Sequence, residues 1–312
     1  MPPAVSVIIP AYKAAKYIAG ALDSVLAQTF TDYEVIVIND GSPDTAELEA
    51  ALEPYRARIT YLRQENRGVS GARNAGVRAA RAEFIALLDS DDRWEPEFLA
   101  SQIALLRGDP GLALVYADGI IFGGTPDAGR RLMDVSPSED VVTFESLVTR
   151  KSTVHSCTTV ARRAAMIGAG LFDEAFSVVE DTDLWLRMVK NGGSISYQRR
   201  LLGRYCRRPG SLSADVSKMI ESYISVLEKI GQHPAVTPAE RALIERQQAN
   251  ERASLDLYKG KDALWRGDFA GARKHLAQAN MHWRRPKLAL MVMLVRLTPR
   301  LAQALYRRRF GV

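Results

Sequence analysis

Long apolar runs are scarce in this sequence of 312 residues. The longest, residues 288–295 (LALMVMLV), ends at Arg296 and falls far short of the roughly 20 residues that a membrane-spanning helix needs. The first ten residues carry no basic segment, and Pro10 cuts their apolar run short, so they do not resemble a secretion signal. We therefore expect a cytoplasmic protein.

Cysteine and histidine are also rare. Two cysteines, Cys157 and Cys206, and four scattered histidines give neither a disulfide framework nor the ligand spacing of a zinc site. We expect both thiols to be reduced packing residues. The glycine-rich nucleotide signatures are missing as well: the loop AYKAAKYI after the first predicted strand holds no GxGxxG and no GxxxxGK[ST], and residues 68–76 (GVSGARNAG) have the wrong spacing.

Acidic residues are absent from residues 281–312, which contain eight arginines or lysines. The remaining 280 residues carry 34 basic and 36 acidic side chains, so the formal charge of +6 belongs to the C-terminal tail. A nucleic-acid-binding domain would show a basic face interleaved with aromatic residues across the folded part, and no such pattern is present. We expect no nucleic-acid partner.

What the sequence does contain is a regular alternation of short apolar runs and helical patterns. Strands are predicted at residues 5–10, 34–40, 59–63 and 84–89, with helices near 15–27, 44–53, 69–81 and 95–107 between and after them. This rhythm predicts an α/β fold with a mainly parallel sheet. Ligands bind at the carboxyl ends of such strands, so Pro10, Asp40, the segment after Arg63, and Asp89 should meet at one crevice.

The second half of the chain is less regular. We predict an apolar run at 112–123, a loop or flap at 123–140, strands near 155–161 and 194–206, and a helix from Asp181. Two domains follow, 1–212 and a helical region at 213–312. Within the latter, residues 255–279 resemble a tetratricopeptide-type hairpin, and 286–309 predict one amphipathic helix. That helix could contact a membrane interface, or be a core helix with a solvated basic face.

The stretch DSDD places Asp89, Asp91 and Asp92 within four positions directly after a predicted strand. Their mutual repulsion needs compensation by water, by helix-starting amides or by a cation. Carboxylates at i and i+2 suit Mg²⁺ or Mn²⁺, whose other sites can take diphosphate oxygens. Helix capping is the alternative that the pattern leaves open.

Five stretches in order, VSVIIPAYKAAKYI, VINDGSPD, ENRGVSGARNAG, LLDSDD and VEDTDLWLR, resemble the motifs of family 2 glycosyltransferases, which are inverting enzymes of the GT-A fold. The resemblance covers roughly residues 5–210. It implies a Rossmann-like GT-A (nucleotide-diphospho-sugar transferase) domain, followed here by the helical region. It also implies a divalent cation, Mn²⁺ or Mg²⁺.

The resemblance carries roles over to individual residues. It assigns the metal to Asp91, the catalytic base to Asp181, and an orienting or acceptor-contacting role to Glu180. The nucleotide-sugar is assigned to the following residues, of which Arg208 departs from the family pattern and is included for its own chemistry: Pro10, Ala11, Tyr12, Asp40, Asn66, Arg67, Arg73, Asn74, Asp89, Ser90 and Arg208. Pro10, Ala11 and Tyr12 would line the base, Asp40 would accept a hydrogen bond from uracil, and Asp89 would lie near the ribose.

Several of these residues also have a purely structural interpretation. Pro10 could end a strand, Asp40 could form a turn, and Asn66 to Asn74 could simply begin a helix. Among the neighbouring residues, Asp92 is predicted to cap a helix, Trp185 to lie in the core, and His155 to be structural. Acids at the start of a helix, Asp183 among them, can also interact with its dipole.

One segment departs from the family pattern. Many members carry Tyr-Arg-x-His-Pro after the base helix, with a histidine that can complete the metal site, whereas this chain reads YCRRPGSLS at 205–213. Arg208 stands where the histidine would be. A guanidinium cannot ligate a metal but can bind diphosphate, so cation dependence could be weaker here.

The predicted function is transfer of a sugar, hexosyl or N-acetylhexosaminyl, from a UDP-sugar to a saccharide or lipid-linked acceptor in cell-surface polysaccharide or glycolipid assembly. The tail at 281–312 would hold the protein peripherally at the inner face of the membrane. The alternative is a non-catalytic scaffold with a decayed transferase domain. A nucleotidyltransferase and a processive polymerase are disfavoured, because no glycine-rich loop and no QxxRW segment are present. A homodimer is left open.

Overall fold

A nine-stranded sheet forms the centre of the first of two units into which the chain divides, Met1–Ala214 and Asp215–Val312. The structure is a computed structural model that describes residues 1–208, 210–211 and 215–310, with side chains to residue 308. The predicted domain boundary, between residues 212 and 213, lies outside the described residues.

The strands confirm the α/β prediction. Their order in the sheet is β3-β2-β1-β4-β8-β6-β9-β5, with β7 paired to β9. The four strands β3, β2, β1 and β4 are mutually parallel, as are β6 and β9, and the remaining pairs are antiparallel. The strand bounds are β1 Val5–Ala11, β2 Tyr33–Asp40, β3 Thr60–Gln64, β4 Phe84–Leu87, β5 Arg93–Trp94, β6 Leu112–Phe122, β7 Val141–Val142, β8 Thr159–Arg162 and β9 Ser194–Cys206.

Helices separate the strands at the predicted places. The segment predicted as a loop at 123–140 is irregular except for one short helix. Two 3₁₀ turns, Glu53–Arg58 and Ser156–Thr158, precede β3 and β8. The helix bounds in this unit are α1 Ile18–Leu26, α2 Thr45–Leu52, α3 Gly68–Ala79, α4 Phe98–Gly108, α5 Leu132–Val135, α6 Phe144–Val148, α7 Arg163–Gly168 and α8 Glu180–Lys190.

The central strands are apolar on both faces because helices cover both sides of the sheet. Val7, Ile9 and Val37 belong to a buried cluster that includes residues of α1 and α4. On the other face α3 lies close to the sheet, and a Cβ added at Gly76 would lie 2.4 Å from Cγ2 of Ile8. Glycine is needed at this position, and the close approach fixes the helix that carries Arg73.

The second unit is helical, as predicted. The helical hairpin is formed by α10 and α11, which meet at Gly267 with a positive φ of 86° and at Asp268, whose side chain accepts from the Gly271 N–H. Gly260 permits a close approach to Leu276 across the hairpin. The helix bounds are α9 Val216–Gly231, α10 Pro238–Arg266, α11 Phe269–Trp283, α12 Pro286–Leu297 and α13 Pro299–Phe310.

The prediction of one continuous helix over 286–309 is wrong. The chain leaves the helical conformation at Thr298, with φ −137° and ψ 63°, and starts again at Pro299. Proline disfavours a helical conformation in the residue before it and has no N–H to continue the ladder, so α12 and α13 are separate helices. Across the described part of the chain, no helix combines the length and the apolar character that crossing a bilayer requires.

Candidate active site

The DSDD turn does not cap a helix. After residues 89–92 the chain enters β5, and α4 begins only at Phe98, preceded by Glu97, which makes no side-chain capping bond. The helix-capping alternative for this cluster, and the prediction that Asp92 is a cap, are therefore wrong. The carboxylates are compensated in another way.

Each of the three carboxylates has its own partner. Oδ1 of Asp89 accepts from Arg73 at 2.7 Å, and Oδ2 of Asp91 accepts from Nε of Arg208 at 3.0 Å. Asp92 is buried, and its Oδ1 accepts the backbone N–H of Cys206 at 2.6 Å, which ties the turn to the end of β9. Burial and the charge of Asp89 raise the pKa of Asp91, against the effect of Arg208. The same two causes raise the pKa of Asp92 further.

Arg73 connects this turn to the start of α8. Its side chain is buried and donates to Asp89 at 2.7 Å, to Glu180 at 2.5 Å, and to Oγ of Ser156 at 3.1 Å. Burial alone would lower the pKa of this guanidinium, but the carboxylates of Asp89 and Glu180 outweigh it and raise the pKa. Arg73 is therefore a permanent buried cation between two acidic segments.

The helix α8 presents Asp181 beside this cation. Glu180 is buried against Arg73, whereas Asp181 is half-buried and accepts the Thr182 N–H at 2.7 Å. Burial, followed by the charge of Glu180, raises the pKa of Asp181 from 3.8 to about 7, with Arg73 opposing. Val179, immediately before the helix, has a positive φ of 64°, a costly conformation for a β-branched residue. Such strain often accompanies a functional site.

The segment that leads into α8 is held by side chains from α3 and from Arg67, the residue before it. Nδ2 of Asn74 donates to the carbonyl of Phe172 at 2.8 Å, and Oδ1 of Asn74 accepts from the backbone N–H of Phe172 at 2.9 Å. Ser70 donates to the carbonyl of Phe176 at 2.9 Å. Arg67 donates to Glu174 at 2.7 Å. Asn74, predicted to bind the donor, thus uses both ends of its amide to position the segment before Asp181.

Two other residues of α8 serve the structure. Trp185 is fully buried, which confirms its prediction as a core residue. Asp183 is also buried and pairs with Arg187 at 2.6 Å, one turn along the helix. Arg187 in turn donates to the carbonyl of Leu171 at 2.7 Å. Asp183 is therefore a buried ion-pair partner, in addition to any effect of the helix dipole.

The residues predicted for the nucleotide base lie at the ends of β1 and β2. Ala11 is fully buried, Pro10 half-buried, and Tyr12 is 46% exposed. Asp40 is buried, and its Oδ1 accepts both Nε2 of Gln64, at 2.7 Å, and the Arg67 N–H, at 2.9 Å. Gly41, with φ 62°, lets the chain pass close to the backbone of Asn66. Asn66 itself is an exposed residue.

Hydrogen bonds join the predicted residues into three groups: Arg73 with Asp89 and Glu180, Arg208 with Asp91, and Arg67 with Asp40. Arg208 also lies over the ring of Tyr17, 4.7 Å from its centroid. Ser90 is half-buried within the turn. Asn74 belongs to none of these groups and donates to the carbonyl of Phe172 and to Glu174.

His155 lies next to Ser156, the third partner of Arg73. Its ring is 5.6 Å from that of Tyr205, and within the described residues its buried Nε2 has no hydrogen-bond partner. Burial, followed by the charge of Arg207, lowers the pKa of His155 to about 4. The imidazole is therefore neutral at pH 7 and packs against an aromatic ring.

Comparison with known proteins decides the family. The profile described as "Glycosyl transferase family 2" matches residues 6–170, more than half of the chain. The chain belongs to glycosyl transferase family 2. An uncharacterized glycosyltransferase of Rickettsia felis is 31% identical over 195 residues, which are 60% of this chain and 32% of that protein. Chondroitin synthase of Escherichia coli is 33% identical over 208 residues, 64% of this chain and 29% of the synthase.

Solved structures of similar fold extend over nearly the whole chain. TarS 1–349 of S. aureus, in complex with UDP-GlcNAc, has a TM-score of 0.62 at 20% identity, covering 98% of this chain and 92% of that one. The mannosyltransferase PcManGT of Pyrobaculum calidifontis, in complex with GDP-Man and Mn²⁺, has a TM-score of 0.64 at 17% identity, covering 99% and 88%. At these identities the likeness establishes the fold. The chain spans about a third of the Rickettsia felis and E. coli relatives.

A divalent cation fits the family 2 site only together with a donor. The described residues contain no group of three or more His, Cys, Asp or Glu that could hold a metal by themselves. Asp91 and Asp89 nevertheless offer two part-exposed carboxylates on one turn. Mg²⁺ is typically held by one or two carboxylates plus substrate phosphates. Asp89 and Asp91 would provide the carboxylates, and a bound nucleotide-sugar would provide the phosphates. Arg208 now occupies one oxygen of Asp91.

Sequence reasoning missed the supporting residues of this site. Gln64 binds Asp40, Ser156 binds Arg73, Glu174 binds Arg67 and Asn74, and the Cys206 N–H binds Asp92. These partners are 24 to 114 residues apart along the chain. The sequence gives no periodicity or motif that pairs them, so they become visible only when the topology is known.

Proposed function

We propose that the chain transfers a sugar from a nucleotide-sugar donor to an acceptor hydroxyl, with inversion at the anomeric carbon. The observation that carries the proposal is the bridge made by Arg73, which lies 2.7 Å from Asp89 and 2.5 Å from Glu180. One buried cation holds together the turn assigned to the donor and the helix assigned to the base. A single displacement needs both at one place, because the reacting groups must be held in attack geometry.

Asp181 is the proposed general base. Its carboxylate takes the proton of the acceptor hydroxyl while that oxygen bonds to the anomeric carbon. The bond from the anomeric carbon to the diphosphate breaks, and the nucleoside diphosphate leaves with the electron pair. A pKa of about 7 suits this role, since the group is substantially ionised near neutral pH and still basic enough to accept a proton.

The proposed donor is a UDP-sugar of the hexosyl or N-acetylhexosaminyl type. Support for the uridine nucleotide comes from the fold shared with TarS, which was solved with UDP-GlcNAc. PcManGT, which was solved with GDP-Man, supports only a hexosyl donor. Because Oδ1 of Asp40 already accepts two hydrogen bonds, we assign the uracil contact to its Oδ2. The exposed ring of Tyr12 is available beside the base.

The diphosphate is assigned to Arg208 and to the DSDD turn. Arg208 would turn from Asp91 to the phosphate oxygens, which its planar guanidinium can bind in pairs. Asp91, with Asp89 beside it, would hold a Mn²⁺ or Mg²⁺ ion that neutralises charge on the departing diphosphate. The bound cation and Arg208 would thus both neutralise the leaving-group charge, and Arg208 would neutralise part of it without a metal.

The proposed acceptor is a saccharide or lipid-linked hydroxyl at the inner face of a membrane, within the assembly of cell-surface polysaccharide or glycolipid. The similarity to E. coli chondroitin synthase, which covers 29% of that protein, supports a saccharide acceptor. No observation supports the alternative, a non-catalytic scaffold. Asp91 and Asp181 are both present, and the pKa of Asp181 is raised, as suits a general base.

A donor panel tests the proposal. UDP-, GDP- and dTDP-sugars are titrated into the protein by calorimetry, with and without Mn²⁺, and slow hydrolysis of each is followed by release of the nucleoside diphosphate. We expect a UDP-sugar to bind most tightly and to be hydrolysed. Failure of every nucleotide-sugar to bind, with or without the cation, would overturn the proposal.

A further inference from the structure

The last two helices expose apolar side chains instead of burying them all. Five leucine or methionine side chains on α12 and α13 are about half or more exposed: Leu290, Met293, Leu297, Leu301 and Leu305. We call these five residues the apolar stripe. Leu290, Met293 and Leu297 follow i, i+3 and i+7 spacing, and Leu301 and Leu305 follow i and i+4, so each set lies on one helix face. Isolated exposed leucines are ordinary, whereas a row of them marks an interaction surface.

The opposite faces of the same helices are packed. Leu288, Val295 and Ala302 are buried in a cluster with Leu276 and other residues of the hairpin. The single amphipathic helix predicted over 286–309 includes Leu288, Met291 and Leu294 among its apolar positions. The structure buries Leu288 and half-buries Met291 and Leu294 against this cluster, so they are structural. The prediction of core helices therefore holds for the packed faces, and membrane contact by the exposed faces stays a proposal.

Positive charge surrounds the apolar stripe. Exposed basic side chains, which we call the basic rim, flank it along both helices: Lys287, Arg296, Arg300 and Arg308. Residues 281–312 contain no acidic residue at all. A second copy docking face to face would bring like charges together, which disfavours self-association through this surface.

We propose that the apolar stripe and its basic rim bind the surface of an anionic lipid bilayer. The leucine and methionine side chains enter the boundary between headgroups and acyl chains, and the rim contacts the anionic headgroups. The inference rests on the proposed function in one respect, which is that the proposed acceptor lies at a membrane. Lipid binding itself needs no donor, no cation and no catalysis.

Co-sedimentation of the full chain with vesicles tests this surface. The vesicles are phosphatidylcholine alone or mixed with phosphatidylglycerol. We expect binding to the mixed vesicles, little binding to phosphatidylcholine alone, and release by high salt. The rim variant Lys287→Gln/Arg296→Gln/Arg300→Gln should bind on the order of 100-fold more weakly, since each basic residue contributes about fivefold.

The apolar variant Leu290→Ser/Leu297→Ser/Leu301→Ser should also lose binding. A control, Leu105→Ser/Val216→Ser, removes two apolar side chains elsewhere that are 37% and 42% exposed, and it should bind like the parent. Circular dichroism shows whether each variant is folded. The proposal is overturned if the parent fails to bind anionic vesicles at low salt, or if the apolar variant binds as well as the control. It is also overturned if ultracentrifugation finds a dimer that only the apolar variant abolishes.

Donor hydrolysis in solution separates this proposal from the proposed function. The apolar and rim variants should hydrolyse the donor at the parent rate, because their substitutions lie outside the residues assigned to the site. A preparation that binds vesicles but hydrolyses no donor would contradict the transferase proposal and would leave the proposal of a lipid-binding surface intact.

Discussion

Nε of Arg208 lies 3.0 Å from Oδ2 of Asp91, so a guanidinium neutralises the carboxylate at the third position of the DSDD turn. Both side chains are partly exposed, and Arg208 also lies over the ring of Tyr17. The pair is therefore accessible from solvent. Under the proposed function, Arg208 would compete with the cation for Asp91 and would bind the donor phosphates.

Arg208→Ala should separate these two effects. Without donor, Mn²⁺ should bind more tightly than to the parent, because its competitor for Asp91 is gone. Without cation, UDP should bind about 10- to 100-fold more weakly, because a charge-assisted contact to the diphosphate is lost. Calorimetry measures both. The control is Arg207→Ala, which removes the neighbouring guanidinium paired with Asp127 at 2.5 Å and should change neither value. Unchanged UDP and Mn²⁺ affinities in the Arg208 variant would rule out the assignment.

Arg73→Met should strongly destabilise the fold. The substitution leaves Asp89 and Glu180 facing each other in a largely buried site with no cation between them. Breaking a buried ion pair in this way costs about 3–5 kcal/mol of the free energy of unfolding. Urea unfolding measures the loss. Arg78→Met, on the exposed side of the same helix, should change stability by less than about 0.5 kcal/mol. Equal effects of the two would show that Arg73 is not a bridge.

The rate of donor hydrolysis should depend on one group with a pKa near 7. Asp181 must be ionised to accept a proton, so kcat/KM should fall tenfold per pH unit below about 7 and level off above it. His155 cannot account for the fall in kcat/KM below pH 7, because its pKa is lowered to about 4. A pH–rate profile with an apparent pKa near 4 would contradict the assignment.

The same raised pKa affects stability. The folded protein retains the Asp181 proton between about pH 4 and 7, where the unfolded chain has lost it, so this carboxyl costs stability as the pH rises through that window. Asp181→Asn should therefore match the parent in stability near pH 4 and exceed it progressively up to pH 8. Thermal unfolding across this range gives the comparison. An advantage that grows towards acid pH would have the wrong sign.

Gly76→Ala should destabilise the protein through the packing of α3 on the sheet. The added methyl would lie 2.4 Å from Cγ2 of Ile8 and 2.9 Å from Cδ1 of Ile38, both in the core. Overpacking of this kind typically costs about 1–3 kcal/mol. Gly108→Ala is the control, since nothing lies within 4 Å of its added Cβ and alanine favours the helix. Chemical denaturation of both variants should give effects of opposite sign.

The alternation of strands and helices was predictable because each element shows its own spacing of apolar residues along the sequence. The end of β1 near Pro10, the end of β2 at Asp40 and the position of β4 before Asp89 follow from short apolar runs and the residues that end them. The break before Pro299 was equally local, and the prediction of one helix there gave amphipathic spacing more weight than the proline.

The partners of the DSDD carboxylates were not predictable. The sequence shows that the charges need compensation, but Arg73 and Arg208 reach Asp89 and Asp91 from 16 and 117 residues away. Such pairs depend on strand order and register, which one sequence does not specify. Asp92 shows the consequence: local pattern suggested a helix cap, whereas its partner is a backbone amide of β9.

Asp181→Asn tests the central claim most directly. The variant is compared with the parent in calorimetry of the best UDP-sugar and in the rate of UDP release, with circular dichroism to confirm the fold. Because the base acts on the acceptor, here water, we predict donor affinity close to that of the parent and a rate lower by a factor on the order of 10² to 10⁴. An equal loss of affinity and rate, or an unchanged rate, would contradict the assignment of Asp181 as the base of a glycosyl transfer.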